Sequence, residues 1–381
     1  MKQPIGLDRR RFVQMVGGTS LLGAVAGRFR WAPSRGAATL AAKLVYIGAE
    51  DEIHVYSIAA DGRFLKQQAI ASAHPVAMAI SRGNLFVANG VSEYGSLPRG
   101  SVQAYAIDGA TGHLALKNRV PLSLSGILPR DLAIAPDGRS VVVAVHGGGA
   151  YNALSVDEEG RLGRVSWILK ETGSGPHAWQ ACAHPAAVMF DPVGRVLTAD
   201  QGSDQLSVLS ISHGELTVVG RCEVTAGSGP SSMVLDPNGK RLYVAHALNG
   251  SVSSFGYDPT VGRILDRKQA VSASVAGEMA ALAMHPSGEM LYSSHGDGIQ
   301  AWKIAANSAL EGLPGVEGVR ANKLHVTADG KSLLALSSDA VLQMNIDRAT
   351  HVLAAPVNLV SLSKPLSIAV WYQKPGVFTS N

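Results

Sequence analysis

The chain has 381 residues, of which 46% are hydrophobic, 6% aromatic and 16% charged. Such a composition can bury a large core, which excludes a disordered or collagen-like chain. Its two cysteines, Cys182 and Cys222, are too few for a disulfide framework, a zinc ribbon, an iron–sulfur site or a haem-attachment motif. The formal net charge of +4 comes from the first 42 residues, and the remaining 26 basic and 28 acidic residues give no basic surface for nucleic acid.

The N-terminal residues predict an export signal. An arginine pair, Arg9 and Arg10, is followed by Phe12 and by a modestly apolar, glycine-containing run that reaches Ala26. This order resembles the twin-arginine signal, which carries folded proteins out of the bacterial cytoplasm. A membrane anchor and a basic tail are the alternatives, although a run of about fifteen residues is short for a bilayer. We therefore expect residues 1–42 to be a signal and linker, cleaved after Ala26 or near Ala38, and residues 43–381 to form a periplasmic or extracellular domain.

Seven copies of one pattern organise the rest of the chain. Most copies open with a proline, followed three and five residues later by apolar positions, and continue into a glycine turn and a second apolar run. Five copies begin at Pro75, Pro129, Pro185, Pro230 and Pro365, and two copies without a proline contain Leu282 and Leu324. The turn glycines recur every 42 to 56 residues, which suits four short strands per unit and not a two-helix repeat.

A second pattern, an alternating outer strand that ends in a polar hairpin, also occurs seven times. Four-stranded units at this spacing predict an all-β fold, a seven-bladed β-propeller. The proline strand at Pro365–Val370 has no second strand after it, and the first unit, near Leu44, has no proline strand before it. We expect the N- and C-terminal strands to complete one blade, the C-terminal strand innermost, which closes the ring. Two sandwich domains are the alternative, but they would not explain why the two patterns interleave without a break.

One segment is more specific than the repeat. Cys182 and His184 flank a single residue before a proline strand, an Asp-Pro-x-Gly turn ends that strand at Gly194, and an Asp-x-Gly-x-Asp loop runs from Asp200 to Asp204. This segment resembles the lactonase-type seven-bladed propellers, in which a His-x-His pair precedes the strand. That family includes the bacterial propeller form of 6-phosphogluconolactonase and the fungal carboxymuconate cyclases. The resemblance extends from about Leu44 to Trp371 and implies hydrolysis of a lactone.

The candidate ligand-binding residues lie on one predicted rim. In a propeller the loops that enter the innermost strands and those that leave the second strands open on the same face, around the mouth of the axial channel. We place at the ends of second strands Asn89, His146, Asp200, His246 and His295, and in the entering loops His74, His177, Gln180 and His184. For any single histidine a hydrogen bond to loop backbone is the simpler interpretation, but the set as a whole favours a polar funnel for a ligand.

Lactone opening needs a group that transfers a proton and a cation that stabilises the carbonyl oxyanion. By the match to the family's motif, His184 is the candidate general acid or base, and Asp200 is positioned to orient a neighbouring group. Arg130, next to Pro129 in an entering loop, is the candidate contact for an anion.

The chain departs from the family's pattern at several rim positions. Cys182 stands where the family has the first histidine of the pair, and Ser231 and Ser232 replace an Arg-His pair. Asn89-Gly90 and His246-Ala247 replace two Asn-Glu pairs. If lactone hydrolysis occurs, it must use a rearranged set of residues.

Two other classes of function remain open. A metal-binding propeller would use His146, His246, His295 and Asp200 as ligands of a divalent metal, although no local ligand pair supports it. A non-catalytic propeller would hold a saccharide, peptide or protein at the same rim.

We expect no cofactor, a small-molecule lactone or sugar-derived ligand, no nucleic acid, no membrane association once the signal is removed, and a monomer. Because phosphorylated sugars are cytoplasmic, export favours an unphosphorylated sugar-acid lactone or a lactone from aromatic breakdown. Cys182 and Cys222 lie in different parts of the repeat, so a disulfide between them is the less favoured alternative.

Overall fold

A computed structural model describes residues 42–59, 61–272 and 281–372. The predicted export signal, apart from its last residue, lies outside these ranges. Within them, no helix is long and apolar enough to cross a membrane.

The described residues form 28 strands in seven antiparallel sheets of four, which we number as blades 1 to 7. Blade 1 contains β28 (Pro365–Tyr372), β1 (Ala42–Ala49), β2 (Glu52–Ile58) and β3 (Phe64–Ala71); blade 2, β4 (Pro75–Ser81), β5 (Asn84–Asn89), β6 (Ser101–Ile107) and β7 (Leu114–Pro121); blade 3, β8 (Pro129–Ile134), β9 (Ser140–Val145), β10 (Ala150–Val156) and β11 (Leu162–Lys170); blade 4, β12 (Pro185–Phe190), β13 (Val196–Asp200), β14 (Gln205–Ser212) and β15 (Glu215–Glu223). Blade 5 contains β16 (Pro230–Leu235), β17 (Arg241–His246), β18 (Ser251–Asp258) and β19 (Arg263–Ser272); blade 6, β20 (Ala281–Met284), β21 (Met290–His295), β22 (Gly298–Ile304) and β23 (Leu310–Glu317); blade 7, β24 (Lys323–Val326), β25 (Ser332–Leu336), β26 (Ala340–Asn345) and β27 (Val357–Ser361).

The blades form a closed ring. The innermost strands contact one another in the order β4, β8, β12, β16, β20, β24 and β28, and β28 returns to β4. The predicted seven-bladed propeller is therefore confirmed. The alternating segments assigned to the outer edge are instead the third strands, because a fourth strand lies outside each of them.

The core is divided among the seven junctions between neighbouring blades. Each junction holds its own cluster of buried apolar side chains. The second strands lie between two such clusters, and their side chains are buried on both faces of the sheet. For this reason runs such as Val141–Val143 are continuously apolar and do not alternate.

Pairing between the two ends of the propeller closes blade 1. β28 pairs antiparallel with β1, and Val45 faces Val370 while Ile47 faces Ile368. Val45 and Ile47 pack toward blade 7, whereas the alternate residues Leu44 and Tyr46 pack toward blade 2. The predicted latch is confirmed, and a single strand, β1, supplies both of its neighbours with apolar surface.

A β-bulge follows the proline of each of the five proline strands. The residue after the proline has no cross-strand partner in the ladder to the second strand, as the register shift between Pro129 and Asp131 illustrates. A bulge redirects the side chain of the extra residue. Here the bulge residues line the axial cavity at its mouth: Val76, Arg130, Ala186, Ser231 and Leu366.

We predict that the latch is required for folding. A chain that ends at Ser363 removes β28, which exposes the apolar inner edge of blade 1 and leaves β1 without its partner. It should aggregate or melt at a markedly lower temperature, as measured by size-exclusion chromatography and thermal unfolding. A control chain that ends at Tyr372 keeps all of β28 and should behave as the full propeller. A monomeric Ser363 truncation with an unchanged melting temperature would contradict the latch.

Candidate functional site

A cavity of about 290 Å³ lies on the propeller axis, where the innermost strands begin. Polar residues from several blades line it, among them Arg130, Ser231, Asn322 and Lys323. The sequence analysis missed Lys323 because it lies in a copy of the repeat that lacks the proline. Its position in the repeat could have identified it, because Lys323 occupies the place in blade 7 that Asp131 occupies in blade 3. Two cations from different sides of the axis make the cavity suited to an anionic ligand.

The backbone of blade 3 places Arg130 in this cavity. Its guanidinium Nη1 donates to Gln201 Oε1 of blade 4 at 2.8 Å. Burial lowers the pKa of Arg130, and the neighbouring Asp131 carboxylate opposes this shift. A guanidinium keeps its proton in proteins, so Arg130 remains cationic at the mouth.

Asp131 is a buried carboxylate that joins two blades. Its Oδ2 accepts the Val188 N–H of blade 4 at 2.9 Å, and its Oδ1 accepts the N–H of Leu132. Burial raises the pKa of Asp131, while the positive charge of Lys323 and the two backbone donors oppose the shift. Ser232 accepts an equivalent bond from Leu282 of the next blade. This position of the repeat therefore holds neighbouring inner strands in register.

His146 lies one residue beyond the position expected for it. β9 ends at Val145, which pairs with Pro129, whereas in blade 4 Asp200 itself pairs with Pro185. Since successive residues of an extended chain point to opposite sides, this offset turns His146 away from the blade. Its ring instead stacks on that of His184, with centroids 4.8 Å apart and planes 25° apart.

Burial keeps the His146 imidazole, which stacks on His184, in its neutral form. Burial, and then the charges of Arg130 and His184, lower the pKa of His146 to about 4, and a hydrogen bond with the Pro185 backbone opposes the shift. His146 therefore adds no second positive charge to the stack when His184 accepts a proton during a reaction.

His184 is held in one tautomer. Its Nδ1 lies 3.2 Å from the carbonyl oxygen of His146. A carbonyl oxygen can only accept, so Nδ1 carries the proton and the lone pair of the neutral ring is on Nε2. Nε2 lies 3.6 Å from Sγ of the exposed Cys182. The side chain thus has a fixed donor side and a basic side that faces the exposed Cys182.

Asp200 shapes the loop that carries His184. Its Oδ1 accepts the backbone N–H groups of His184, Gly202 and Ser203 at 2.8 to 3.1 Å. Gly202 packs directly against the backbone from Cys182 to His184, where a Cβ would collide with the chain. Asp200 is therefore a positioning residue for His184, and Gly202 permits the close approach.

The second aspartate of the same loop has a similar role. Asp204 accepts the N–H groups of Gly227 and Gly229, which belong to the loop that enters blade 5. The Asp-x-Gly-x-Asp motif that carries the family resemblance thus organises two entering loops through backbone contacts.

The loop before His184 leaves some predicted residues exposed and others internal. Gln180 is fully buried and donates through Nε2 to the carbonyl of Gln201 at 2.8 Å, so it anchors the loop. His177 is exposed, and its Nδ1 accepts the N–H of Trp179. The Trp179 side chain is 76% exposed, which leaves a large flat apolar surface on the entering loop of the site.

The other predicted rim residues do not join this group. Asn89 is fully buried and bonds to Ser72, Ala73, Ser101 and Gln103. His246 and His295 are buried and each lies within 3.0 Å of a serine of its own blade. His74 is exposed in the loop that enters β4. The structure thus brings together Arg130, His146, His184 and Gln201, with Asp200 and Gln180 in support.

The positions that depart from the family's pattern are occupied differently. A Cβ at Gly90 would collide with Val76, so a side chain there has no room. Ser231 lines the cavity where an arginine was expected. Cys182 and Cys222 do not form a disulfide. Over the described ranges, no three His, Cys, Asp or Glu side chains are grouped so as to hold a metal ion, and the four proposed metal ligands are not brought together.

These features define a class: a seven-bladed propeller with a polar, cationic axial cavity and a histidine pair where blades 3 and 4 meet. The comparison with protein families agrees with this class. Residues 45–370 match the family described as "Lactonase, 7-bladed beta-propeller", and the chain belongs to that family.

Individual relatives are distant. The chain is 26% identical over 204 residues to the 6-phosphogluconolactonase of Formosa agariphila, which covers 51% of this chain and 57% of that protein. It spans about half the length of the curated relatives that it matches. Those relatives therefore support membership of the family, but they do not identify the substrate of this chain.

Solved structures match almost the whole propeller. A candidate 6-phosphogluconolactonase of Bacteroides fragilis has a TM-score of 0.79 at 23% identity, covering 88% of this chain and 100% of its own. The periplasmic gluconolactonase of Pseudomonas aeruginosa has a TM-score of 0.79 at 20% identity, covering 87% and 99%. At such identities the likeness shows the fold.

Burial of His295 predicts a specific loss of stability in acid. Burial lowers the pKa of His295 to about 4, whereas an unfolded histidine titrates near 6.5. Between these values the unfolded chain binds more protons, so the free energy of unfolding decreases as the pH falls. His295 alone should account for about 2 kcal/mol of the decrease between pH 7 and pH 5.

His295→Gln should show a smaller loss between these pH values in denaturant unfolding experiments. Its loss should not vanish, because burial also lowers the pKa values of His146 and His325 to about 4. The exposed His213 provides a matched control, and His213→Gln should keep a larger acid loss than His295→Gln. An equal acid loss in both variants would contradict the assignment.

Proposed function

We propose that this propeller hydrolyses a small lactone at the mouth of its axial cavity. The observation that carries the proposal is the fixed tautomer of His184, whose basic Nε2 faces the exposed Cys182 while Arg130 is held in the axial cavity by Gln201. A proton acceptor beside a fixed cation matches the two requirements of lactone opening.

His184 is assigned the proton transfers. It accepts a proton from the nucleophile that attacks the lactone carbonyl carbon. It returns a proton to the ring oxygen as the bond between that oxygen and the carbonyl carbon breaks, and hydrolysis yields the hydroxy acid. His146 supports this cycle because it stacks on His184 and remains neutral at pH 7. Asp200 contributes indirectly, through the backbone of the loop that it shapes.

Arg130 and Lys323 are assigned the negative charge of the substrate. Both line the axial cavity, and a carboxylate or a developing oxyanion placed there would be stabilised by either cation. Exposed Trp179, on the same entering loop, offers a flat face for a sugar ring. These features favour an anionic sugar lactone as the substrate, and the export proposed below favours an unphosphorylated sugar-acid lactone, because phosphorylated sugars are cytoplasmic.

The proposal predicts different defects for two substitutions. His184→Ala should lower kcat for a responsive lactone by roughly 10² to 10⁴, the usual contribution of a general acid or base. Arg130→Ala should chiefly raise KM for an anionic lactone, by roughly 10- to 100-fold, with less effect on a neutral one. Rates are measured with a panel of five- and six-membered sugar lactones and corrected for spontaneous hydrolysis.

Controls separate these effects from general damage. His213 in blade 4 and Arg139 in blade 3 are exposed, and the hairpins that carry them lie at the opposite end of their blades. Replacing either residue with alanine should leave kcat and KM unchanged. Wild-type rates equal to spontaneous hydrolysis across the panel would overturn lactonase activity on these substrates, and retained binding of the lactones would favour a non-catalytic binding propeller.

We also propose that the protein is exported through a twin-arginine signal. The arginine pair, the apolar run and the small residues near Ala26 support it. The double variant Arg9→Lys and Arg10→Lys should keep the protein in the cytoplasm while its melting temperature stays unchanged. Cell fractionation of the wild type and the variant measures this, and equal export of both would contradict the signal.

A further inference from the structure

An exposed thiol accompanies the imidazole of the proposed site. Cys182 lies in the loop that enters blade 4, and its Sγ is 3.6 Å from Nε2 of His184. The bond from His184 Nδ1 to the His146 carbonyl leaves Nε2 as the nitrogen that can accept the thiol proton. The Cys182 thiol therefore faces the His184 imidazole, and the His146 carbonyl orients that imidazole from its other side. This is the arrangement that activates a cysteine nucleophile.

The backbone holds this pair together. Asp200 Oδ1 accepts the His184 N–H at 2.8 Å, and His184 O accepts the Gln201 N–H at 3.0 Å. Gly202 packs against the carbonyl of Cys182 and leaves no space for a larger residue. The two side chains thus belong to a segment that is tied to the end of β13, which keeps the thiol beside its base.

The surroundings of the pair fit a nucleophile better than a structural cysteine. A structural cysteine is usually buried among apolar side chains, whereas Cys182 is exposed in the loop that enters blade 4. The neutral His146 stacks on His184, and Arg130 places a positive charge close enough to lower the pKa of His146. A thiolate formed here would lie beside the imidazolium of His184.

We propose that Cys182 is the nucleophile of this lactone hydrolase and that the reaction proceeds through a thioester. This inference rests on the proposed function. His184 Nε2 takes the thiol proton, and Sγ attacks the lactone carbonyl carbon. The bond from that carbon to the ring oxygen breaks, and the oxygen takes the proton from His184.

A water molecule then completes the cycle. His184 accepts one proton from the water as its oxygen attacks the thioester carbon, and the carbon–sulfur bond breaks. Sγ recovers the proton from His184. One lactone and one water yield one hydroxy acid, the thiol and the imidazole return to their initial states, and no redox partner is needed.

Thiol reactivity tests the pair without any substrate. Iodoacetamide labelling of the folded protein, followed by peptide mass spectrometry, reports Cys182 and Cys222 separately. Cys182 should react at least about tenfold faster than Cys222 at neutral pH, and His184→Gln should remove most of that advantage, because the thiolate is the reacting form. The control His213→Gln should not. An alkylation rate of Cys182 that is unchanged in His184→Gln would overturn the inference.

Rates of lactone turnover in variants distinguish a failure of this inference from a failure of the proposed function. Cys182→Ala should lower kcat by at least about 10³-fold, as loss of a nucleophile does. Rapid acid quench of the wild type with a responsive lactone should trap a Cys182 peptide heavier by the mass of the lactone, and Cys182→Ser provides a second variant should the alanine protein misfold. Wild-type turnover in Cys182→Ala together with loss of activity in His184→Ala would overturn this inference and leave the proposed function standing. A wild type without lactone turnover would overturn both.

Discussion

Antiparallel pairing of β28 with β1 is the constraint on which the rest of the molecule depends. It joins residues more than 300 positions apart and supplies the inner strand of blade 1, so that all seven apolar junctions are covered on both sides. Only a closed ring points the beginnings of the inner strands at one axis. Arg130 of blade 3 and Lys323 of blade 7 line the same cavity because of that closure.

Backbone geometry, more than side-chain chemistry, builds the site on this ring. The bulge after each of the five inner-strand prolines turns one residue into the channel, and these blades thereby offer a set of positions that can vary without disturbing the sheets. Asp200 and Asp204 use their carboxylates to bind loop N–H groups. The two aspartates of the family's motif therefore hold the entering loops through contacts to the backbone.

The distribution of charge gives those neighbours distinct roles. Burial keeps His146 neutral, and Gln201 restrains the cation of Arg130. His184 lies between a carbonyl that fixes its proton and a thiol that can give one up. Where the family's pattern has a histidine, this chain has Cys182, and at Gly90 the space for a side chain is taken by Val76. The site is consequently cationic and thiol-containing, a different set from the one that the family's motif implies.

The sequence by itself determined the architecture, because strand period, turn glycines and inner-strand prolines are local signals that repeat seven times. It also located the rim and selected Arg130 and His184, since both follow from position within the repeat or from the motif. Only the tertiary structure decided which rim residues meet. A one-residue offset at Val145 turns His146 toward His184, whereas Asn89, His246 and His295, one position earlier in their repeats, are buried within their blades. The approach of Lys323 and Arg130 to one cavity, and the bond from Arg130 to Gln201, became visible only when separate blades were brought together. Such contacts depend on strand register and on partners tens of residues distant, which no local pattern encodes.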